Sequence, residues 1–198
     1  MPIVINGTGT VSGLSAGGIS NTKAIASAAM PAGSVIQTIQ STKTDTASYN
    51  STTWADIAGT DQAGSGSIWC VKITPASASN KILIQYNIKA GNTGSLWSLK
   101  ILRDSTQIYK GDTETDKLSM TEGMYGDSGY GAHYDVQTMS GMYLDSPSST
   151  SELTYKIQWK NAHGSGYYNY LNRAGNGDDT SVYNGRYAST LTCLEIVG

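Results

Sequence analysis

The chain has no phenylalanine, and among its 198 residues only two cysteines, two histidines and four prolines. Charge is scarce as well: Asp, Glu, Lys and Arg together make up 14%, with a formal net charge of −2. The thirteen Lys and Arg form no run or patch. That argues against a nucleic-acid partner, because such binding rests on neutralising phosphates. No stretch approaches ~20 consecutive apolar residues, so no segment reads as a membrane-spanning helix. The N-terminus has neither a charged region nor an apolar run ahead of AIASAA, so that motif is not read as a leader cleavage site and synthesis in a cytosol is expected. Cys70, Cys193, His133 and His163 show no zinc-ligand spacing. The two cysteines each fall inside a predicted strand and read as buried free thiols, although sequence leaves their separation, and so a disulfide, open.

Catalytic signatures are missing too. There is no HExxH, no phosphate-binding loop and no Cys–His nucleophile pattern. Acidic residues do cluster in one region, as Asp112, Glu114, Asp116, Glu122, Asp127 and Asp135. Glycoside hydrolysis needs two carboxylates at a defined separation, and nothing in the spacing pairs any two of these. AGNGDDTS (174–181) offers oxygen ligands of the kind a hard cation takes, but the same residues make ordinary turns, the favoured reading. The expectation is therefore a non-enzymatic protein with no cofactor and no bound metal.

What the chain has instead is 25 Ser, 22 Thr, 23 Gly and 13 Tyr, a composition of short strands and polar turns. Residues 1–20 are glycine-rich, carry no acidic or basic side chain, and hold only scattered aliphatics: Ile3, Val4, Ile5, Val11, Leu14 and Ile19. Such a segment buries too little apolar surface to offset the entropy of ordering its backbone. It reads as an extended arm held by another subunit. TKAIASAAM (22–30) is Ala-rich, follows Ser20 and Asn21 as N-cap candidates and stops at Pro31, which predicts one short helix.

From residue 32 onward the pattern is β. Strands are expected at 34–41, 54–57, 67–74, 81–88, 96–103, 106–110, 138–145, 152–160, 168–173 and 189–198, with 111–137 irregular. ELTYKIQWK alternates cleanly, placing Leu153, Tyr155, Ile157 and Trp159 on one side. SIWCVKIT is nearly continuous in apolar character and reads as buried on both faces. The apolar last strand is expected inside a sheet or at an interface, since an exposed edge would invite aggregation. Short strands separated by turns without helices predict an all-β, jelly-roll-like antiparallel β-sandwich over 32–198, preceded by the 1–31 arm.

Taken in order, MPIVINGTGTVSGLSAGGI, SVIQTIQSTKTDT, ITPASASNKILIQYNI, ILRDSTQI, YLDSPSSTSELTYKIQWK, YLNR and STLTCLEI resemble tail-fibre and related appendage proteins of bacteriophages, especially cyanophage-like phages of marine and freshwater bacteria. The resemblance implies a virion protein, commonly a homotrimer, with a β-sandwich C-terminal domain. It also implies that the opening segment seats the protein on other virion structural proteins, with Ile3, Val4, Ile5, Val11, Leu14 and Ile19 as docking residues.

The Tyr-rich loops 124–134, 163–173 and 183–187 are the candidate contact surfaces. Aromatic rings beside amides and acids suit either a host-surface glycan or a subunit interface. For Tyr125, Tyr130 and Tyr134 the two readings are evenly weighted. For Tyr168, Tyr170 and Arg173 the interface is preferred, because YLNR belongs to the framework that carries the resemblance.

Overall fold

The computed structural model describes residues 30–115, 117–126, 134–164, 166–175, 182 and 184–198. The described residues are all-β, with two antiparallel sheets and no helix. The arm expected over 1–20 and all but the last residue of the helix expected over 22–30 lie outside them; Met30 is described and is not helical.

The first sheet is built on β5 (Lys81–Asn92), the longest strand at 12 residues. One edge of β5 pairs with β9 (Gln137–Asp145). Its other edge pairs with β12 (Ser189–Ile196) and, further along, with β11 (Asn169–Leu171). Outside β12 lies β1 (Val35–Lys43), and outside β11 lies β2 (Ala47–Tyr49). The second sheet is built on β10 (Leu153–Asn161) and its neighbour β6 (Leu96–Arg103). The free edge of β10 is shared by β3 (Ala55–Asp56) and β4 (Cys70–Ile73). The free edge of β6 is shared by β7 (Thr106–Ile108) and β8 (Glu122–Tyr125). The chain crosses from one sheet to the other between β2 and β3, β4 and β5, β5 and β6, β8 and β9, β9 and β10, and β10 and β11, giving the jelly-roll-like sandwich the strand spacing predicts.

Alternation decides which side chains enter the core. Along β10 the burial pattern runs strictly in and out, with Leu153, Tyr155, Ile157 and Trp159 inside. They meet Trp97, Leu99 and Ile101 of β6, Val71 and Ile73 of β4, and Ile82, Ile84 and Ile88 of β5 in one cluster. Trp97 packs edge-on against Trp159 at 5.3 Å, and Tyr49 stacks on its other side at 5.6 Å. The last strand lies between β1 and β5, so its apolar residues have no free edge.

Carboxylates tie elements together. Asp145 at the end of β9 accepts two hydrogen bonds from Arg103 Nη1, at 2.9 and 2.8 Å, and one from the Tyr155 hydroxyl at 2.7 Å, joining the two sheets. Burial, with this acceptor, pushes the Tyr155 hydroxyl far above its ordinary pKa and keeps it a donor. Glu122 of β8 accepts a further inter-sheet hydrogen bond, from Tyr86 of β5, at 2.8 Å.

Three local expectations change. First, the strand expected at 67–74 starts at Cys70, and Ile68 makes only an isolated bridge to Ala58. Its core side is closed, with Trp69, Val71 and Ile73 at 0–1% exposure, whereas the other side buries Cys70 and leaves Ile68 and Lys72 half-exposed. Second, the strand expected over 168–173 is only Asn169–Leu171, because Asn172 turns the chain at φ 60°. Third, two short strands, β2 and β8, arise where a polar loop and irregular chain were expected. Cys70 and Cys193 are both buried and free, and burial raises both thiol pKa values.

Candidate functional site

The sandwich has two poles. At one, β1 begins, β12 and β9 end, and the chain before Met30 enters. At the other, β5 ends at Asn92, β6 begins at Leu96, β8 ends at Tyr125, and the 162–168 loop joins β10 to β11. The length of β5 separates them by about 37 Å at ~3.4 Å per residue.

The second pole carries the aromatic loops over a buried amide network. Asn161 Oδ1 accepts from Ser95 Oγ at 2.7 Å, His163 N at 2.8 Å and Gly164 N at 3.1 Å. Its Nδ2 donates to Asn169 Oδ1 at 3.0 Å, and Asn169 donates onward to the Lys160 carbonyl at 2.8 Å. Asn92 closes its own turn, donating to the Ser95 carbonyl at 2.6 Å and accepting from Gly94 N at 2.9 Å. A Cβ on Gly126 would overlap that Asn92 amide, so β8 can leave the sheet here only through glycine. These saturated contacts make rigid supports for the loops above them.

On that support, Tyr125 stands 62% exposed. It meets the His163 ring edge-on at 6.5 Å, and His163 lies 5.3 Å from the Tyr167 ring. His163 Nδ1 is 3.0 Å from Ser95 Oγ, which ties the ring to the network. Tyr168 is locked to Thr93 by two bonds, its N–H donating to Thr93 Oγ1 at 2.8 Å and its carbonyl accepting from Thr93 N at 3.1 Å.

The sequence-predicted residues thus fall into four groups. Tyr125 and Tyr168 are exposed aromatics at the loop pole. Tyr170 is 9% exposed; it stacks on Tyr168 at 5.8 Å, and Arg173 covers it at 4.2 Å, so these two serve mainly to hold Tyr168. Tyr134 is half-buried just before β9. Ile3, Val4, Ile5, Val11, Leu14, Ile19 and Tyr130 lie outside the described residues. His163 and Tyr167, within the 163–173 loop but not singled out from the sequence, join the aromatic group.

The two outer sheet faces differ sharply. Outside the second sheet, Lys156 pairs with Asp56 at 2.9 Å, Lys72 pairs with Asp61 at 3.1 Å, and Lys100 sits 4.1 Å above the Trp54 ring. Outside the first sheet, across β1, β12, β5 and β9, the charged side chains are Lys81 and Lys89, near the two ends of β5. Between them an aliphatic row crosses three strands, Leu194 opposite Leu83 opposite Leu144. Met142 and Ile196 flank it, and Val35 stands opposite Ile196. Met142 is 62% exposed, Val35 48% and Leu144 44%.

Among the described residues, no group of three or more His, Cys, Asp or Glu is placed to hold a metal ion. No helix among them is long and apolar enough to cross a membrane. No protein-family model matches the chain, and no curated protein matches it.

Proposed function

We propose that this chain is a non-enzymatic structural subunit of a bacteriophage particle, a tail-fibre or appendage protein. It assembles as a homotrimer through the outer face of its first sheet. Residues 1–31 dock it to other virion proteins at one pole, and the opposite pole is displayed. The observation that carries the reading is the contrast between faces. One is laced with ion pairs, whereas the other presents exposed Met142, Leu144 and Val35 on a nearly uncharged sheet. Exposed aliphatics on such a face favour burial against another surface. The polarity of the sandwich supports the rest, since the arm enters about one β5 length from the Tyr loops. Light scattering of the full chain at micromolar concentration tests the assembly: a mass of three chains is expected, and a stable monomer refutes it.

A second reading rests on the loop pole, as a carbohydrate-recognition module for the host surface. Tyr125, Tyr167 and Tyr168 are 62%, 40% and 38% exposed above a rigid amide network, which suits aromatic stacking on a sugar ring. A glycan array probed with the full chain tests it. Binding lost in Tyr125→Ala supports the reading, and no binding to any glycan removes it.

A further inference from the structure

The outer face of the second sheet carries a cavity of about 460 Å³ that neither reading above uses. That lies within the usual size of small-molecule sites, about 300–1,000 Å³. Its floor is β4 beside β10, where Cys70 stands opposite Lys156 and Lys72 opposite Thr154. Its wall is the 65–68 segment, which contributes Ser65, Ser67 and Ile68. Asp104, in the turn after β6, closes the rim.

The wall and rim are fixed by the fold itself. Asp61 is 7% exposed, and its Oδ1 accepts from Ala63 N and Ser65 N, both at 2.9 Å. Gln62 ties the same loop to β4: its Oε1 accepts from Lys72 N at 2.9 Å, and its Nε2 donates to the Lys72 carbonyl at 3.1 Å. The Ser67 carbonyl accepts from Gly59 N at 3.2 Å. At the rim, Asp104 N donates to the Thr154 carbonyl at 2.7 Å, and Asp104 Oδ1 accepts from Thr154 N at 2.9 Å. A cavity shaped in advance lowers the ordering cost of binding.

The lining selects the ligand. Lys72 Nζ lies 3.1 Å from Asp61 and Lys156 Nζ 2.9 Å from Asp56. An ammonium has three donors, so one carboxylate contact leaves capacity for a further anionic group. Ser65, Ser67 and Thr154 add hydroxyls, Ile68 adds apolar surface, and Asp104 adds an acceptor. Together these match a sugar that bears an anionic group: its charge meets the lysines, its hydroxyls meet Asp104, and its C–H face meets Ile68. A phosphate ion or a phosphodiester strand fits worse, since it meets Asp104 with like charge and leaves Ile68 uncovered.

The face continues along β10, where Lys156, Gln158 and Lys160 alternate outward. Lys160 stands about 13 Å beyond Lys156 at ~3.3 Å per residue. Lys160 and Lys100 of β6 converge on the Trp54 ring, with their ammonium groups 5.5 and 4.1 Å from its centroid. Burial first, then the charge of Lys160, holds the Lys100 ammonium below its usual pKa, so an anion beside the pair relieves a repulsion.

We propose that this face binds an acidic polysaccharide along β10, with one anionic sugar in the cavity beside Lys72 and Lys156 and a second acidic group at Lys100 and Lys160. The site lies on the sheet not assigned to assembly, so it stands whether the chain is a monomer or a trimer.

Isothermal titration calorimetry of the full chain tests it with four probes: hexagalacturonate, a sulfated galactan hexasaccharide, maltohexaose and inorganic phosphate. One or both acidic hexasaccharides should bind, and which one distinguishes carboxylate from sulfate. Maltohexaose and phosphate should bind at least about tenfold more weakly, the worth of one charge-assisted hydrogen bond. For the acidic probe, Lys156→Gln and Lys100→Gln should each weaken binding about tenfold. Ser67→Tyr fills the cavity from an exposed position while leaving both ion pairs, and should abolish binding. Tyr125→Ala, at the loop pole, should change nothing. Failure of both acidic probes, equal binding of maltohexaose or phosphate, or binding unchanged in Ser67→Tyr or Lys100→Gln overturns the proposal. Binding lost in Tyr125→Ala but kept in Ser67→Tyr assigns the glycan to the loop pole and overturns it as well. Should circular dichroism show Lys156→Gln unfolded, Ser67→Tyr and Lys100→Gln decide alone.

Discussion

Asp145→Ala probes the bond between the two sheets directly. Asp145 is 5% exposed and takes three hydrogen bonds from the opposite sheet. Removing it strands two donors unequally. Tyr155 is fully buried, so its hydroxyl loses its acceptor with no water to replace it, at a cost of about 1–3 kcal/mol. The Arg103 side chain is 24% exposed, so solvent recovers part of its hydration. A charge-assisted hydrogen bond contributes about 1.5–3 kcal/mol, and the exposed share halves that loss here. The sum is about 2–4 kcal/mol, below the upper range for breaking a fully buried pair. For a chain of this length that lowers the melting point by roughly 10 °C. Tyr155→Phe, which leaves Asp145 its arginine, should cost only about 1 kcal/mol. Urea unfolding at fixed protein concentration measures both, because an assembled protein's stability depends on concentration. Arg103→Met should cost much less in the Asp145→Ala background than in wild type. If Asp145→Ala unfolds within ~0.5 kcal/mol of wild type, or Arg103→Met costs the same in both backgrounds, the clamp contributes nothing and the reasoning fails.

Three further outcomes are expected. Val71→Asp places an unpaired charge at a fully buried position of β4 and should cost about 3–5 kcal/mol; a soluble variant with an unchanged urea midpoint would show that β4 is not central. The Ser65 N–H first, then Lys72, holds the Asp61 carboxyl below its usual 3.8, so the 61–65 loop gains stability that is present above about pH 4 and is lost as pH falls through the lowered value. Amide exchange of Ala63 and Ser65 should rise relative to the core between pH 5 and pH 3 in wild type, and Asp61→Asn should abolish that difference; a loop equally protected at both pH values contradicts it. Tyr125→Ala with Tyr167→Ala should leave the melting point within about 2 °C, because both rings are exposed, while lowering any glycan binding several-fold; a large loss of stability would instead make these rings structural.

Elements with strong alternation were legible in the sequence. β10, β6 and the last strand carry apolar residues at period two, and the expected bounds of 96–103 match β6. β2 and β8 were not legible, because ASY and EGMY have little strand propensity of their own. They exist by pairing with longer neighbours, β11 and β6. Tyr125 thus changes from a residue of irregular chain to the end of a strand. Asp145 sits before Ser146 and Pro147 and reads as a turn residue, and only the register with β5 carries it inside to Arg103. The apolar outer face was hidden for a related reason. In TMSGMYLD both parities are apolar, Met139 and Tyr143 pointing inward and Met142 and Leu144 outward, so the pattern alone does not say which pair is exposed. The Asn161 network depends on contacts between residues 66 apart in sequence, beyond any local motif.

Met142→Glu combined with Leu144→Glu puts two carboxylates on the exposed aliphatic row without touching the core, since these positions are 62% and 44% exposed. Sedimentation equilibrium of this variant beside the wild-type chain, with circular dichroism to confirm the fold, tests assembly through the first sheet most directly. The account predicts a trimer for the wild type and a folded monomer for the variant. A wild-type monomer, or a variant that remains trimeric, would contradict it.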